Sequence, residues 1–193
     1  MAACAVSRRV LFAGCLVASS QLRSIKARAD EPAVPQRMQP PQPGDHLIEM
    51  GADAGAKPLR TGDIALQDLV LAWALDPRRN IVRDQSRLNM VLLMRFDPAS
   101  LGATETGMVS EGVVAYSAVC THQQCWVTDW LKSAQVLQCP CHQSRYDLRD
   151  GAKVVGGPAP RPLPALPLNL SDGVLTVAGP FTDRVGGEPS SGA

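Results

Sequence analysis

Short apolar runs separated by turn-forming residues make up the middle of this chain. Five consecutive apolar residues at 90–94 precede Arg95, and Asp97-Pro98 ends the run, which is typical of a buried strand. The segment 63–75 fits helical spacing and strict alternation about equally, and we interpret 69–74 as a strand. Strands are predicted over residues 44–50, 69–74, 90–96, 112–119, 136–138 and 174–178, with a turn at 171–173.

Composition strengthens the prediction of a β protein. The 193 residues include 16 Gly and 16 Pro, and only 4% are aromatic. Frequent chain-bending residues between short apolar runs favour an all-β, loop-rich fold. The formal net charge of +1 gives no reason to expect a nucleic-acid partner.

The first 29 residues read as an export signal rather than as part of the fold. Ser7-Arg8-Arg9-Val10-Leu11-Phe12 is a twin-arginine pattern, and the apolar run over 10–18 is shorter than the roughly 20 residues of a membrane-spanning helix. Ala27-Arg28-Ala29 predicts cleavage after Ala29, which would place the mature protein in the periplasm. An uncleaved N-terminal anchor is the alternative.

Two short loops carry the candidate chemistry. Cys120-Thr121-His122 and Cys139-Pro140-Cys141-His142 each supply one thiolate and one imidazole, which are ligands for iron or zinc. A 2Fe–2S cluster held by two Cys and two His is one interpretation, and a tetrahedral zinc site is the other. Two further cysteines, Cys125 and Cys141, favour the cluster, because a zinc finger has no use for them.

These loops resemble those of Rieske proteins, in the disulfide-containing branch found in cytochrome bc complexes and in the small subunit of arsenite oxidase. The resemblance implies that Cys120 and Cys139 bind one iron of a 2Fe–2S cluster, and His122 and His142 the other. It also implies a further set of roles: a disulfide between Cys125 and Cys141, hydrogen bonds to the cluster from Ser144 and Tyr146, and a covering loop of Gly157, Pro158, Ala159 and Pro160. With two thiolates and two neutral imidazoles, the reduced cluster carries less negative charge than a four-Cys cluster, which favours a high reduction potential.

The resemblance also implies the organisation of the chain. We expect an all-β fold, a Rieske-type antiparallel β-sandwich base with an inserted cluster-binding subdomain. The predicted divisions are a signal peptide over 1–29, a Pro/Gln-rich linker over 30–43, the Rieske domain over 44–182 with its subdomain at about 118–160, and a disordered tail over 183–193.

Three glutamines depart from the pattern that the resemblance predicts. Gln124 and Gln143 stand where the family commonly has Gly, so a positive φ there would cost conformational energy. Gln123 follows the first His, where quinol-oxidising relatives often have an apolar residue. A polar tip of this kind favours a protein partner, such as a c-type cytochrome, over a quinol.

The sequence therefore predicts one-electron transfer in the periplasm. The chain would be an electron-transfer subunit of an oxidoreductase, or a soluble carrier, rather than an enzyme alone; no Ser/His/Asp set or phosphate loop suggests catalysis. Rieske oxygenases are excluded, because only His46 is left for a second iron site. The alternatives are the small subunit of an arsenite-oxidase-like molybdoenzyme and the Rieske subunit of a quinol–cytochrome c reductase. Membrane contact is expected only through a partner or an uncleaved N-terminus.

Overall fold

A computed structural model describes residues 34–102 and 111–187. This part of the chain has no α-helix, and the predicted all-β class is confirmed. Its eleven strands are β1 His46–Glu49, β2 Leu69–Asp76, β3 Ile81–Val82, β4 Val91–Arg95, β5 Val113–Ser117, β6 Asp129–Leu131, β7 Val136–Gln138, β8 Arg145–Asp147, β9 Lys153–Gly156, β10 Leu168–Ser171 and β11 Val174–Val177. Four single-turn 3-10 helices span Gln36–Met38, Thr61–Asp63, Arg87–Asn89 and Pro98–Ser100.

The larger sheet is antiparallel and has the order β10-β11-β1-β2-β4-β5, with β3 also paired to β2. β4 lies inside this sheet and is buried on both faces. Leu92 and Met94 enter one apolar cluster, and Val91 and Leu93 enter a second one. Because neither face meets water, β4 reads as an unbroken apolar run rather than as an alternation.

The smaller sheet has the order β6-β7-β8-β9 and is inserted in the sequence between β5 and β10. The two ligand loops lie on either side of the β6–β7 hairpin. The first follows β5, and the second connects β7 to β8. Phe96 meets Trp130 edge to face at 6.0 Å, and Trp73 meets Trp126 at 6.5 Å, so aromatic packing joins the insertion to the larger sheet.

One apolar cluster extends from the larger sheet to the ligand loops. It contains Ile48 and Leu92 of the larger sheet, Leu137 and Tyr146 of the smaller sheet, and the thiol of Cys120. The first cysteine is therefore fixed by the same packing that stabilises the fold.

Most of the sequence-predicted strands are present. The ambiguous segment forms β2, which runs two residues past the predicted end to Asp76. The predicted strands did not include β3, β6, β8, β9 or β10. Four of these five have two to four residues with no sustained apolar period; β10 has an alternation that was there to be read.

The ends of the described region are packed more closely than the sequence suggested. The expected linker is held from residue 34 onward: Arg37 forms an ion pair with Asp84 at 2.6 Å, and Pro41 is buried. The segment Asp183–Gly187, expected to begin a disordered tail, contacts the first ligand loop instead. Residues 1–33 and 188–193, including the predicted export signal, lie outside the described residues. Within 34–102 and 111–187 there is no helix that could cross a bilayer.

Candidate metal centre

The two ligand loops have the same backbone frame. In the first, the N–H of Cys120 donates to the carbonyl of Cys125 at 2.8 Å, and the N–H of Gln124 donates to the carbonyl of Cys120 at 3.1 Å. In the second, the N–H of Cys139 donates to Ser144 at 2.8 Å, and that of Gln143 donates to Cys139 at 3.0 Å. The frame explains the unequal Cys–His spacings: the histidine occupies the third position of one loop and the fourth position of the other.

The four predicted ligands are brought together at the tips of these loops. The Cys120 and Cys139 thiols are each 1% exposed and lie against each other. The rings of His122 and His142 have centroids 4.8 Å apart and are nearly perpendicular. His142 is exposed and His122 is half-buried, so the two imidazoles differ in their access to solvent.

The donor atoms of this group fit a metal cofactor. Nδ1 of His122 is buried and has no hydrogen-bond partner among the described residues. Buried polar atoms are normally paired, and an imidazole nitrogen left bare beside two thiols is a metal ligand in waiting. Burial raises the pKa of the Cys139 thiol, and the neighbouring Cys120 adds to this effect, so a bound cation is needed to stabilise the thiolate form.

The Cys125–Cys141 disulfide joins the two loops. It therefore links the end of the first loop to the middle of the second. With this bond made, Cys120 and Cys139 are the two free cysteines in the described part of the chain. The structure thus separates the four cysteines as the resemblance implied.

Gln124 and Gln143 both have positive φ values, +58° and +57°. Each residue closes the frame of its loop, at the fifth position. The concern raised from the sequence is therefore realised: two non-glycine residues occupy the left-handed region, where Gly would be free of the steric cost.

Tyr146 is a hydrogen-bond donor aimed at the first cysteine. Its hydroxyl lies 3.3 Å from Sγ of Cys120 and 3.3 Å from Oγ1 of Thr121. Thr121 donates its own proton to the carbonyl of Arg161 at 2.7 Å, so the proton between the two hydroxyls belongs to Tyr146. Burial, together with Cys120, raises the pKa of Tyr146 far above its usual range, so the phenol keeps that proton.

Ser144 and the Gly157–Pro160 loop form another wall of the site. Ser144 is fully buried, and its Oγ accepts a hydrogen bond from the N–H of Ala159 at 3.1 Å, which leaves the hydroxyl proton free to donate elsewhere. Gly157 has φ +79°, and a Cβ there would lie 2.5 Å from Cα of Ser144. Only glycine allows this loop to approach the second ligand loop so closely.

Two residues of the site were not identified from the sequence. Thr121, fully buried between two ligands, accepts the Tyr146 proton, and Arg161 accepts a hydrogen bond from Thr121 through its carbonyl. Neither has a motif of its own, because each acts through its position in the fold. Trp126, expected to pack in the core, is half-buried beneath the Arg87 guanidinium, whose Cζ lies 5.6 Å from its ring centroid.

Comparisons with known proteins point to one family. The family model described as "Rieske [2Fe-2S] domain" matches residues 91–167. The cytochrome bc1 complex Rieske iron-sulfur subunit of Streptomyces lividans is 34% identical over 147 residues, which cover 74% of this chain and 85% of that protein.

Other relatives match over a smaller share of their own length. The putative respiratory nitrate reductase subunit Rieske of Haloferax mediterranei is 41% identical over 97 residues, which cover 50% of this chain and 43% of the relative. The bc1 Rieske subunit of Streptomyces coelicolor is likewise spanned over 41% of its length. Among solved structures, the soluble domain of the Rieske protein II from Sulfolobus acidocaldarius matches with 27% identity and a TM-score of 0.39, over 50% of this chain and 66% of that one.

Proposed function

The chain belongs to the Rieske [2Fe–2S] protein family, and on that premise we propose that it transfers single electrons through a cluster bound by Cys120, Cys139, His122 and His142. The observation that carries the ligand assignment is the bare, buried Nδ1 of His122 beside two buried thiols. When bound, such a cluster accepts and returns one electron.

The residues around the ligands favour the reduced state. Tyr146 donates toward Sγ of Cys120, and the Ser144 hydroxyl has a free proton inside the same buried site. Hydrogen-bond donors next to a ligand stabilise the more negative state, because their positive ends face the added charge. The proposed cluster is therefore of the high-potential type.

Electrons are proposed to enter and leave at the exposed His142. We define the docking face as Pro140, His142, Gln143 and Arg145, which are all exposed. Arg145 donates to Oε1 of Gln138 at 2.9 Å and has no carboxylate partner among the described residues. This face is polar and mildly cationic, which suits a protein partner with a polar or acidic surface better than an apolar quinone ring.

The proposed location is the periplasm, after export by the twin-arginine route, and the proposed partner is a larger oxidoreductase or a c-type cytochrome. Support for export is the Ser7–Phe12 pattern followed by Ala27-Arg28-Ala29. A Rieske subunit of a bc1 complex is the second candidate, favoured by the names of the Streptomyces relatives. An arsenite-oxidase-like small subunit stays a prediction from the sequence.

Visible and electron paramagnetic resonance (EPR) spectra of the purified protein test the cofactor. We expect a coloured protein with iron and sulfide in equal amounts and a rhombic EPR signal after reduction by dithionite. A colourless, EPR-silent protein that contains zinc would overturn the proposal.

Affinity isolation of the tagged chain from its native host tests the partner. Recovery with a soluble c-type cytochrome would support the leading proposal. Recovery only from membranes together with cytochrome b would support the bc1 candidate, and co-purified molybdenum would support the arsenite-oxidase-like one.

A further inference from the structure

The segment Asp183–Gly187, which we call the strap, returns from the larger sheet to the first ligand loop. Two contacts from one side chain hold it. Nη2 of Arg161 donates to the carbonyl of Gly186, and Nη1 of Arg161 lies 3.4 Å from the carboxylate of Asp183. Gly186 and Gly187 are buried, although the sequence around them has the composition of a disordered tail.

The strap meets the ligand loop backbone against backbone. A Cβ at Gly187 would lie 2.3 Å from the carbonyl oxygen of His122 and 3.3 Å from that of Thr121. At Gly186, a Cβ would lie 2.9 Å from Cγ of Gln124. The strap therefore covers the loop at the residue that carries the half-buried imidazole, and it can do so only without side chains.

Arg161 connects the strap to the same loop by a second route. Its side chain binds the strap, while its carbonyl accepts a hydrogen bond from Oγ1 of Thr121 at 2.7 Å. Thr121 in turn accepts the proton of Tyr146, which lies against Cys120. A single residue thus holds both the strap and the stretch of loop between the two ligands.

The disulfide secures the first ligand loop at its other end, at Cys125. Without the strap, the stretch from Thr121 to Gln124 would depend on the loop's own two backbone hydrogen bonds and on Tyr146. A loop with one fixed end and a short internal frame opens more readily than a loop held at both ends.

We propose that the strap is a positioning element of the metal centre, in which Arg161 and Gly187 fix the orientation of His122 independently of the disulfide. This inference rests on the proposed function, because it gives His122 the role of a ligand. It adds two positioning residues to that site, and neither of them touches the metal.

The test compares Arg161→Gln and Gly187→Ala with matched controls in the full-length holoprotein. Arg79→Gln removes another Arg–Asp pair, at 3.0 Å, that has no described contact with the ligand loops. Gly55→Ala adds a methyl group where nothing lies within 4 Å. For each variant, we would measure the EPR g values, the reduction potential, and hydrogen–deuterium exchange of the peptide that contains residues 120–125.

In the two strap variants we expect shifted g values, an altered potential, and amide exchange in the loop about tenfold faster than in the wild type, because opening no longer has to break the strap contacts. The controls should match the wild type in all three. If Gly187→Ala does not retain a cluster, Asp183→Asn, which weakens only one of the two Arg161 contacts, takes its place.

Unchanged g values, potential and loop exchange in the strap variants, in a wild type that shows the Rieske spectrum, would overturn the positioning role alone. A wild type that lacks the spectrum would overturn the proposed function itself. Equal shifts in the strap variants and the controls would also count against the strap, since they would reflect a general loss of stability.

Discussion

Replacing Tyr146 by Phe should lower the reduction potential of the cluster without disturbing the fold. The change removes one hydroxyl from a fully buried ring and leaves the ring packing in place. The lost contacts are the donor that faces Sγ of Cys120 at 3.3 Å and the acceptor of the Thr121 N–H at 3.4 Å.

The size of the shift follows from these contacts. A hydrogen bond to a charged acceptor contributes about 1.5–3 kcal/mol, and a long bond to sulfur belongs at the low end of that range. The potential depends only on how much stronger the bond is to the reduced cluster than to the oxidised one. If that difference is about 1 kcal/mol, the potential falls by about 40 mV, since 59 mV is a tenfold change for one electron.

The chain provides a matched control in Tyr116. This residue is also almost completely buried, and its hydroxyl donates to the carbonyl of Leu148 at 3.1 Å rather than to a ligand. Tyr116→Phe removes the same group from the same apolar cluster and should leave the potential unchanged. Protein-film voltammetry of the two variants and the wild type at one pH makes the comparison.

The reasoning is refuted if Tyr146→Phe keeps the wild-type potential, or if Tyr116→Phe shifts it equally. The first result would mean that Tyr146 gives its proton to Thr121 in both redox states. The second would mean that the potential responds to the polarity of the core in general and not to a donor at Cys120.

Three further predictions concern the loop, the docking face and the larger sheet. Gln143→Gly should stabilise the holoprotein by about 0.5–1 kcal/mol because it relieves a positive φ, and the thermal midpoint of the visible circular dichroism should rise by about 2 °C, whereas Gln143→Ala should give no gain. Arg145→Glu should slow oxidation by the anion hexacyanoferrate(III) and speed oxidation by tris(phenanthroline)cobalt(III), each about three- to fivefold at 0.1 M ionic strength; equal rates for both oxidants would refute electron exit near His142. Burial alone would raise the pKa of Asp76, but hydrogen bonds from the side chain and N–H of Arg79 and from the N–H of Arg78 lower it overall, so the stability it contributes is complete above its unfolded pKa of about 3.8 and is lost as the pH falls toward the lower folded pKa. The difference in unfolding free energy between wild type and Asp76→Asn should therefore shrink from pH 5 to pH 3, and a constant difference would contradict this.

The ligand loops could be predicted from the sequence because their chemistry is local. Cys and His at fixed spacing need few other residues to be recognised, and the conditional expectation about Gln124 and Gln143 could be stated before any φ value was known. β2 and β4 were also accessible, since long apolar runs have a period or a conspicuous lack of one.

The remaining features depend on contacts between distant parts of the chain. β6 and β8 have three residues each, too few to show a period. Gly186 and Gly187 have the composition of a flexible tail, and only the approach of the His122 carbonyl shows why they lack side chains. Arg161 looks like any solvated arginine until Thr121 and Asp183 are placed beside it.

The apolar cluster that contains Cys120 and Cys139 also bears on the speed of electron transfer. A group that changes charge by one unit loses time and driving force if its surroundings must rearrange. Here both thiols belong to the cluster that packs Ile48, Leu92 and Leu137, and closely packed interiors have low compressibility. The oxidised and reduced states should therefore share nearly one geometry, with a small inner-sphere reorganisation energy, and the cost of each electron would fall mainly on the solvent at His142.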